Sequence, residues 1–244
     1  MNRKLVLSKT YDKCASGEPK LTAVLIHGIA SNSESTYQKF LKHLEEASEL
    51  QDVRFVTLDL LGSGKSLKDD DLKYTYAEQI EALHNSIEKL EVKTPVVLVG
   101  HSLGTFIVTR YASIYGDEVA RLVLIAPPIY TPEDLKNPRF AAGMEVFKGA
   151  VSAKNPGILK EKSFKNSMNN IVLDPENYNT LVNIAVPTVL IYGEMDQLIA
   201  SHNVPRVLEE NSDFVTVAKT IGGHGVSLDK FDEIIKAING AVND

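Results

Sequence analysis

The 244-residue sequence predicts an α/β fold in which a mostly parallel central sheet carries helices on both faces. Apolar strand-like runs alternate with amphipathic helical segments almost throughout the chain. The run over 95–99 is apolar without polar alternation, which is typical of a central strand buried on both faces. It passes directly into Gly100-His101-Ser102-Leu103-Gly104, which predicts a tight turn into a helix. Ser102 is therefore expected at the carboxyl end of a central strand.

The remaining elements follow the same alternation of strand and helix. Besides the strand that leads to Ser102, strands are expected over 21–26, 53–58, 121–126, 186–193 and 214–217, with a short edge strand at 5–7. Helices are expected over 35–50, 76–90, 203–210 and 226–242, and directly after Ser102 as far as Gly116. Right-handed crossovers between such strands give a parallel sheet.

Residues 128–185 show helix signals but no strand. Thr131-Pro132 and Asp174-Pro175 each combine a capping residue with proline at the start of a helix. An insertion between two strands of an open sheet is expected to cover the carboxyl edge, where ligands bind. We therefore predict a core of 1–127 and 186–244 and a helical lid of 128–185. The larger apolar lid residues either line a substrate pocket or pack the lid onto the core: Phe140, Met144, Phe147, Phe164, Met168 and Tyr178.

Composition narrows the class of protein. The net charge of −6 and the pI near 5.6 argue against nucleic acid and against an anionic membrane surface as partners. Cys14 is the only cysteine, so an intrachain disulfide is excluded. The apolar run near the start is too short for a secretion signal, and no later segment reaches transmembrane length. The sequence thus predicts a cytoplasmic protein without stable membrane association.

Ser102 is the candidate nucleophile. Gly100 and Gly104 relieve the backbone crowding that a strand-to-helix turn imposes around it. The backbone N–H of Leu103 belongs to the first turn of the following helix, where unpaired donors and the helix dipole favour developing negative charge. Nucleophile and anion site are therefore expected side by side.

A serine hydroxyl is a poor nucleophile at neutral pH, so Ser102 needs a base that a third group orients. Among six histidines, His224 is the best candidate, because it lies in a glycine-rich loop after the last predicted strand. His27, His101 and His202 are weaker candidates: we expect the first to shape its loop, the second to pack below the turn and the third to begin a helix.

Asp196 is the candidate acid, because it follows a late buried strand at the same edge of the sheet. Its carboxylate would accept the imidazole N–H, fix the tautomer and stabilise the imidazolium. Glu194 is the alternative.

The chain order Ser102, Asp196, His224, with the serine in G-x-S-x-G, resembles the α/β-hydrolase superfamily over essentially the whole chain, in particular its lidded serine carboxylesterases and monoacylglycerol-lipase-like members. His27-Gly28 after an early strand is similar to the oxyanion loop of that family, which implies the N–H of Ile29 as a second donor beside that of Leu103. The stretch from Asp59 to Ser66 is similar to a structural D-x-x-G-x-G-x-S turn of its lidded members.

The resemblance implies a carboxylesterase that cleaves small to medium acyl esters through an acyl-enzyme, with no metal and no organic cofactor. Dehalogenases and epoxide hydrolases of this fold use aspartate as nucleophile, so Ser102 excludes both. A thioesterase, a lipid hydrolase or a carbon–carbon bond hydrolase would use the same three residues. A ligand-binding or sensor protein with poor turnover is the alternative from another class.

Overall fold

Seven strands form one sheet in the computed structural model, which describes residues 4–46 and 50–240. In chain order they are β1 (Ser8–Cys14), β2 (Leu21–Ile26), β3 (Val53–Asp59), β4 (Val96–His101), β5 (Val119–Ile125), β6 (Thr188–Gly193) and β7 (Val215–Thr220). Their order across the sheet is β1-β3-β2-β4-β5-β6-β7. Strand β1 is antiparallel to β3, and all other pairs are parallel. The predicted mostly parallel sheet is confirmed, and β4, which leads to Ser102, lies at its centre.

Helices cover both faces of the sheet. They are α1 (Ser33–Glu46), α2 (Tyr76–Lys89), α3 (Leu103–Ile114), α4 (Pro132–Leu135), α5 (Pro138–Lys154), α6 (Lys162–Ser167), α7 (Glu176–Val182), α8 (Val204–Glu210) and α9 (Phe231–Asn239). Val97 and Val99 of β4 belong to a core with α1 and α9, whereas Leu98 belongs to the opposite core with α2 and α3. Both sides of β4 are thus buried, which explains why its sequence is apolar without alternation.

The edge strand predicted at 5–7 is wrong. Leu7 is buried and its N–H donates to the Ser86 hydroxyl at 2.7 Å, so this stretch packs onto α2 instead of joining the sheet. The observed edge strand β1 begins one residue later and is mostly polar, as edge strands that avoid further pairing commonly are.

Helix ends differ from the predicted bounds by one or two residues at α2, α3 and α8, and the differences at α1 and at the closing helix α9 need comment. Helix α1 begins two residues before the expected start, and residues 47–49 of the range predicted for it lie outside the described residues. The closing helix starts at Phe231, after a short 3-10 turn over Val226–Asp229, and 241–242 of the predicted range also lie outside the described residues.

The segment between β5 and β6, here called the insertion (128–185), contains α4 to α7 and no strand among the residues described. Its helices pack against the core cluster that contains α2 and α3. Two polar contacts fasten it to those helices: the Tyr76 hydroxyl donates to the Asn177 side chain, and Arg110 lies 3.5 Å from the Asp174 carboxylate. In the described part of the chain, every helix is too short or too polar to cross a bilayer.

Candidate active site

Ser102 lies at a strained turn between β4 and α3. Its backbone has φ 52° and ψ −118°, a conformation that costs energy for any residue except glycine. A Cβ atom on Gly104 would lie 2.3 Å from the carbonyl oxygen of Ile26, and one on Gly100 would lie 2.7 Å from the Gly104 backbone. The turn therefore requires glycine on both sides of the serine, as the sequence predicted.

Asp196 and His224 lie on two loops that are joined by backbone contacts. The loop after β6 donates from Glu194 N–H to Thr220 and from Met195 N–H to Gly222, at 2.9 and 3.1 Å. A Cβ atom on Gly193 would lie 2.2 Å from the Gly222 carbonyl oxygen, so the close approach of the two loops depends on this glycine.

The Asp196 carboxylate is fully buried, and its Oδ2 lies 2.8 Å from Nδ1 of His224. Its Oδ1 accepts the backbone N–H of Leu198 at 2.9 Å, which fixes the carboxylate plane. A carboxylate beside Nδ1 favours the tautomer with the proton on that nitrogen, and this leaves Nε2 as a lone-pair acceptor. The alternative acid, Glu194, forms an ion pair with Lys219 instead.

Ser102 and His224 line one small cavity of about 30 Å³, here called the catalytic chamber. Three of the six predicted lid residues line it as well: Met144, Phe147 and Met168. Sequence reasoning missed four further apolar residues of its wall, which are Pro128, Tyr130, Val172 and Leu198. Pro128 and Leu198 follow strands at the carboxyl edge of the sheet, and that position was a usable signal.

The other three predicted lining residues lie elsewhere. Phe164 lines a neighbouring cavity, and the Phe140 ring packs edge-on against Tyr130 with centroids 4.6 Å apart, outside the catalytic chamber. Tyr178 lies under the Arg206 guanidinium, and its hydroxyl donates to Glu210 at 3.3 Å, so it packs the insertion onto α8. Phe140 and Tyr178 thus lie outside the wall of the catalytic chamber and pack against neighbouring elements.

Ile29 and Leu103 both line the catalytic chamber beside Ser102. No described residue accepts a hydrogen bond from the backbone N–H of either. Leu103 is the first residue of α3, where the positive end of the helix dipole faces the chamber. The two N–H groups are thus unused donors next to the serine, and such donors stabilise a developing oxyanion.

His27 and His101 form a buried layer behind this site. His27 Nε2 accepts the N–H of Leu60 at 3.0 Å and its Nδ1 lies 2.7 Å from the Gly28 carbonyl oxygen, so this side chain shapes its loop. Neither ring nitrogen of His101 has a hydrogen-bond partner of normal geometry among the described residues. Burial, with smaller contributions from the His224 and His27 rings, lowers the pKa of His101 to about 3.

This buried histidine predicts a loss of stability in acid. Because the folded-state pKa of His101 lies below its usual 6.5, the unfolded chain binds the proton more readily, so stability is complete above pH 6.5 and falls as the pH drops toward 3. Between pH 7 and pH 5 we expect His101→Leu to lose about 2 kcal/mol less unfolding free energy than the wild type. Urea unfolding at the two pH values measures this difference, with His43→Gln on α1 as control. Equal losses in wild type and His101→Leu would contradict the expectation.

Comparisons of the sequence and of the structure with known proteins agree on one family. The family model described as alpha/beta hydrolase fold matches residues 24–156. A probable lysophospholipase of Arabidopsis thaliana, BODYGUARD 5, is 30% identical over 135 residues, which cover 55% of this chain and 30% of that protein. The match thus spans less than a third of this relative's length.

Two solved structures share the fold over nearly the whole chain. The esterase EaEST of Exiguobacterium antarcticum superposes with a TM-score of 0.71 at 20% identity, covering 98% of this chain and 96% of its own. The meta-cleavage product hydrolase CumD of Pseudomonas fluorescens gives a TM-score of 0.68 at 16% identity, with 96% and 95% coverage. The sheet order, the strained serine turn and a family match across more than half of the sequence lead to one conclusion: this chain belongs to the α/β-hydrolase family.

Proposed function

We propose that this protein is a serine hydrolase that cleaves small to medium carboxylic acyl esters. The observation that carries the proposal is the 2.8 Å contact between Asp196 and Nδ1 of His224, at a chamber that Ser102 also lines. In this proposal Ser102 is the nucleophile, His224 the general base and Asp196 the group that orients it. The backbone N–H groups of Ile29 and Leu103 form the oxyanion hole.

The proposed reaction is acyl transfer in two halves. His224 Nε2 takes the proton of Ser102 as the hydroxyl oxygen attacks the ester carbonyl, and the imidazolium is stabilised by the buried Asp196 carboxylate. The tetrahedral oxyanion accepts hydrogen bonds from the two N–H donors, and the alcohol leaves with the proton from His224. Water, activated by the same imidazole, then releases the acid and restores the serine.

The size of the catalytic chamber favours an ester whose substituent next to the scissile bond is short. Its volume of about 30 Å³ has room for about two methyl-sized groups, and its wall is mainly apolar. We further propose that the insertion acts as a lid over a core of 1–127 and 186–244, since six of its residues line this chamber. A cytoplasmic enzyme with a small-molecule substrate, acting on neither nucleic acid nor membranes, fits the acidic composition.

A fluorophosphonate probe tests the proposal, because it reacts covalently with an activated serine. We expect rapid labelling of the wild type and none of Ser102→Ala, with Ser113→Ala on α3 as a matched control that labels like the wild type. Turnover of nitrophenyl acetate should follow the same pattern. A folded wild-type protein that neither labels nor turns over would favour a ligand-binding protein of the same fold.

A further inference from the structure

A second cavity of about 250 Å³ lies next to the catalytic chamber and shares Ile29 and Leu103 with it. We call it the polar chamber. Three stretches supply most of its wall, together with Gln79 and Leu103: residues 28–35 after β2, residues 60–68 after β3, and residues 155–167 of the insertion. Because Ile29 and Leu103 border both spaces, a substrate whose carbonyl oxygen meets their N–H groups can extend into each chamber.

The wall of the polar chamber carries hydroxyl groups without partners. Ser167 is 8% exposed, and its hydroxyl makes no hydrogen bond to the described part of the chain. Ser163 lines the same cavity one helical turn earlier on α6, and its hydroxyl is likewise unpaired among the described residues. Ser163 is half-buried and Ser167 is buried, and both hydroxyls are free to hydrogen-bond a molecule in the cavity. Two unpaired hydroxyls on one cavity wall favour a ligand that carries hydrogen-bonding groups.

The charges at this cavity favour a neutral ligand. Lys68 and Glu161 both line it, and neither forms an ion pair with a described residue. Their opposite charges leave no net attraction for a carboxylate or an ammonium group. An aliphatic chain would leave the serine hydroxyls unpaired, which disfavours a purely hydrocarbon occupant.

Specific hydrogen bonds and one close backbone contact fix the wall of the polar chamber. Gln79 is buried, accepts the N–H of Leu61 at 3.0 Å and donates to its carbonyl at 3.1 Å. Gly62, the residue after Leu61, has φ +82°, and a Cβ atom there would lie 2.4 Å from the Cβ of Ser163. Glycine at this position lets the turn meet the insertion, and this contact closes the wall beside the two serines.

We propose that the substrate is an ester with one short apolar arm, held in the catalytic chamber, and one neutral arm that carries hydroxyl groups and binds in the polar chamber. Ser163 and Ser167 hydrogen-bond those hydroxyls and determine specificity. This inference rests on the proposed function and names the substrate class for the same site. The hydroxyls belong either to the alcohol or to the acyl group, and matched esters distinguish the two.

The experiment compares kcat/KM for three esters: ethyl butyrate, glyceryl monobutyrate, which has hydroxyls on the alcohol, and ethyl 3-hydroxybutyrate, which has one on the acyl group. For the wild type we expect one hydroxylated ester to exceed ethyl butyrate by about tenfold, as one or two hydrogen bonds provide. In Ser163→Ala/Ser167→Ala this preference should fall by about tenfold. Ser167→Thr, which keeps a hydroxyl, should retain it.

Ser152→Ala is the control, because Ser152 lies on α5 and lines neither chamber. It should leave the ratio between the esters unchanged. Equal kcat/KM for all three esters in the wild type, or an unchanged ratio in the double variant, would overturn the inference while leaving the proposed function standing. Absence of nitrophenyl acetate turnover and of fluorophosphonate labelling would overturn the proposed function and this inference together.

Discussion

His224→Ala is expected to lower kcat for nitrophenyl acetate by about 10⁶-fold, because the hydroxyl of Ser102 then has no base to take its proton. The residual rate should come from the oxyanion donors and substrate binding alone. The imidazole lines the catalytic chamber and is partly exposed, so its removal should leave the folded structure intact. Steady-state kinetics measures the fall in kcat, and circular dichroism checks that the variant is folded.

His202→Ala is the matched control for this prediction. His202 is largely exposed, pairs with Asp134 on the insertion and does not line the catalytic chamber. We expect its kcat to stay within about threefold of the wild type, as for most surface substitutions away from a site. A His224→Ala enzyme that kept more than about a hundredth of its activity would rule out His224 as the base.

Asp196→Asn is expected to lower kcat by about 10⁴-fold while preserving the shape of the site. Asparagine can still accept the N–H of Leu198 through Oδ1, so the loop should keep its conformation. Its amide, however, places a donor where the carboxylate accepted from Nδ1 of His224. The imidazole then favours the wrong tautomer, and the imidazolium loses its buried counter-charge.

Glu194→Gln is the matched control, since Glu194 lies two residues from Asp196 but pairs with Lys219. It should leave kcat nearly unchanged. A pH–rate profile adds a second readout, because a residue that orients the base should alter the profile and one that only supports the loop should not. If Glu194→Gln lost more activity than Asp196→Asn, the assignment of the acid would be reversed.

Much of the fold could be predicted from the sequence, because buried parallel strands have a distinctive composition. The strands that lead to Ser102 and Asp196 are short and apolar, and each has a glycine at or next to its last residue, which predicts both their burial and their carboxyl ends. Parallel strands bring those ends to one edge. The proximity of Asp196 and His224 was thus predictable, and their contact is observed. Their catalytic roles stay predictions.

The pocket wall was less predictable. An aromatic or methionine side chain on a short helix can face the core, a neighbouring helix or a cavity, and spacing alone does not distinguish these. Phe147 faces the catalytic chamber, whereas Tyr178 of the same insertion seals α7 against α8. The polar edge strand β1 was missed for a related reason: its pairing depends on β3, which only the tertiary structure supplies.

The contact between Gly193 and Gly222 bears on how homologues with unknown activity are judged. One methyl group at residue 193 would push the histidine loop away from the aspartate, although every reactive side chain would still be encoded in the right order. A pseudoenzyme of this kind would pass a motif search for serine, aspartate and histidine. We therefore expect a residue with no side chain, and with no part in the proposed chemistry, to separate an active homologue from an inert one.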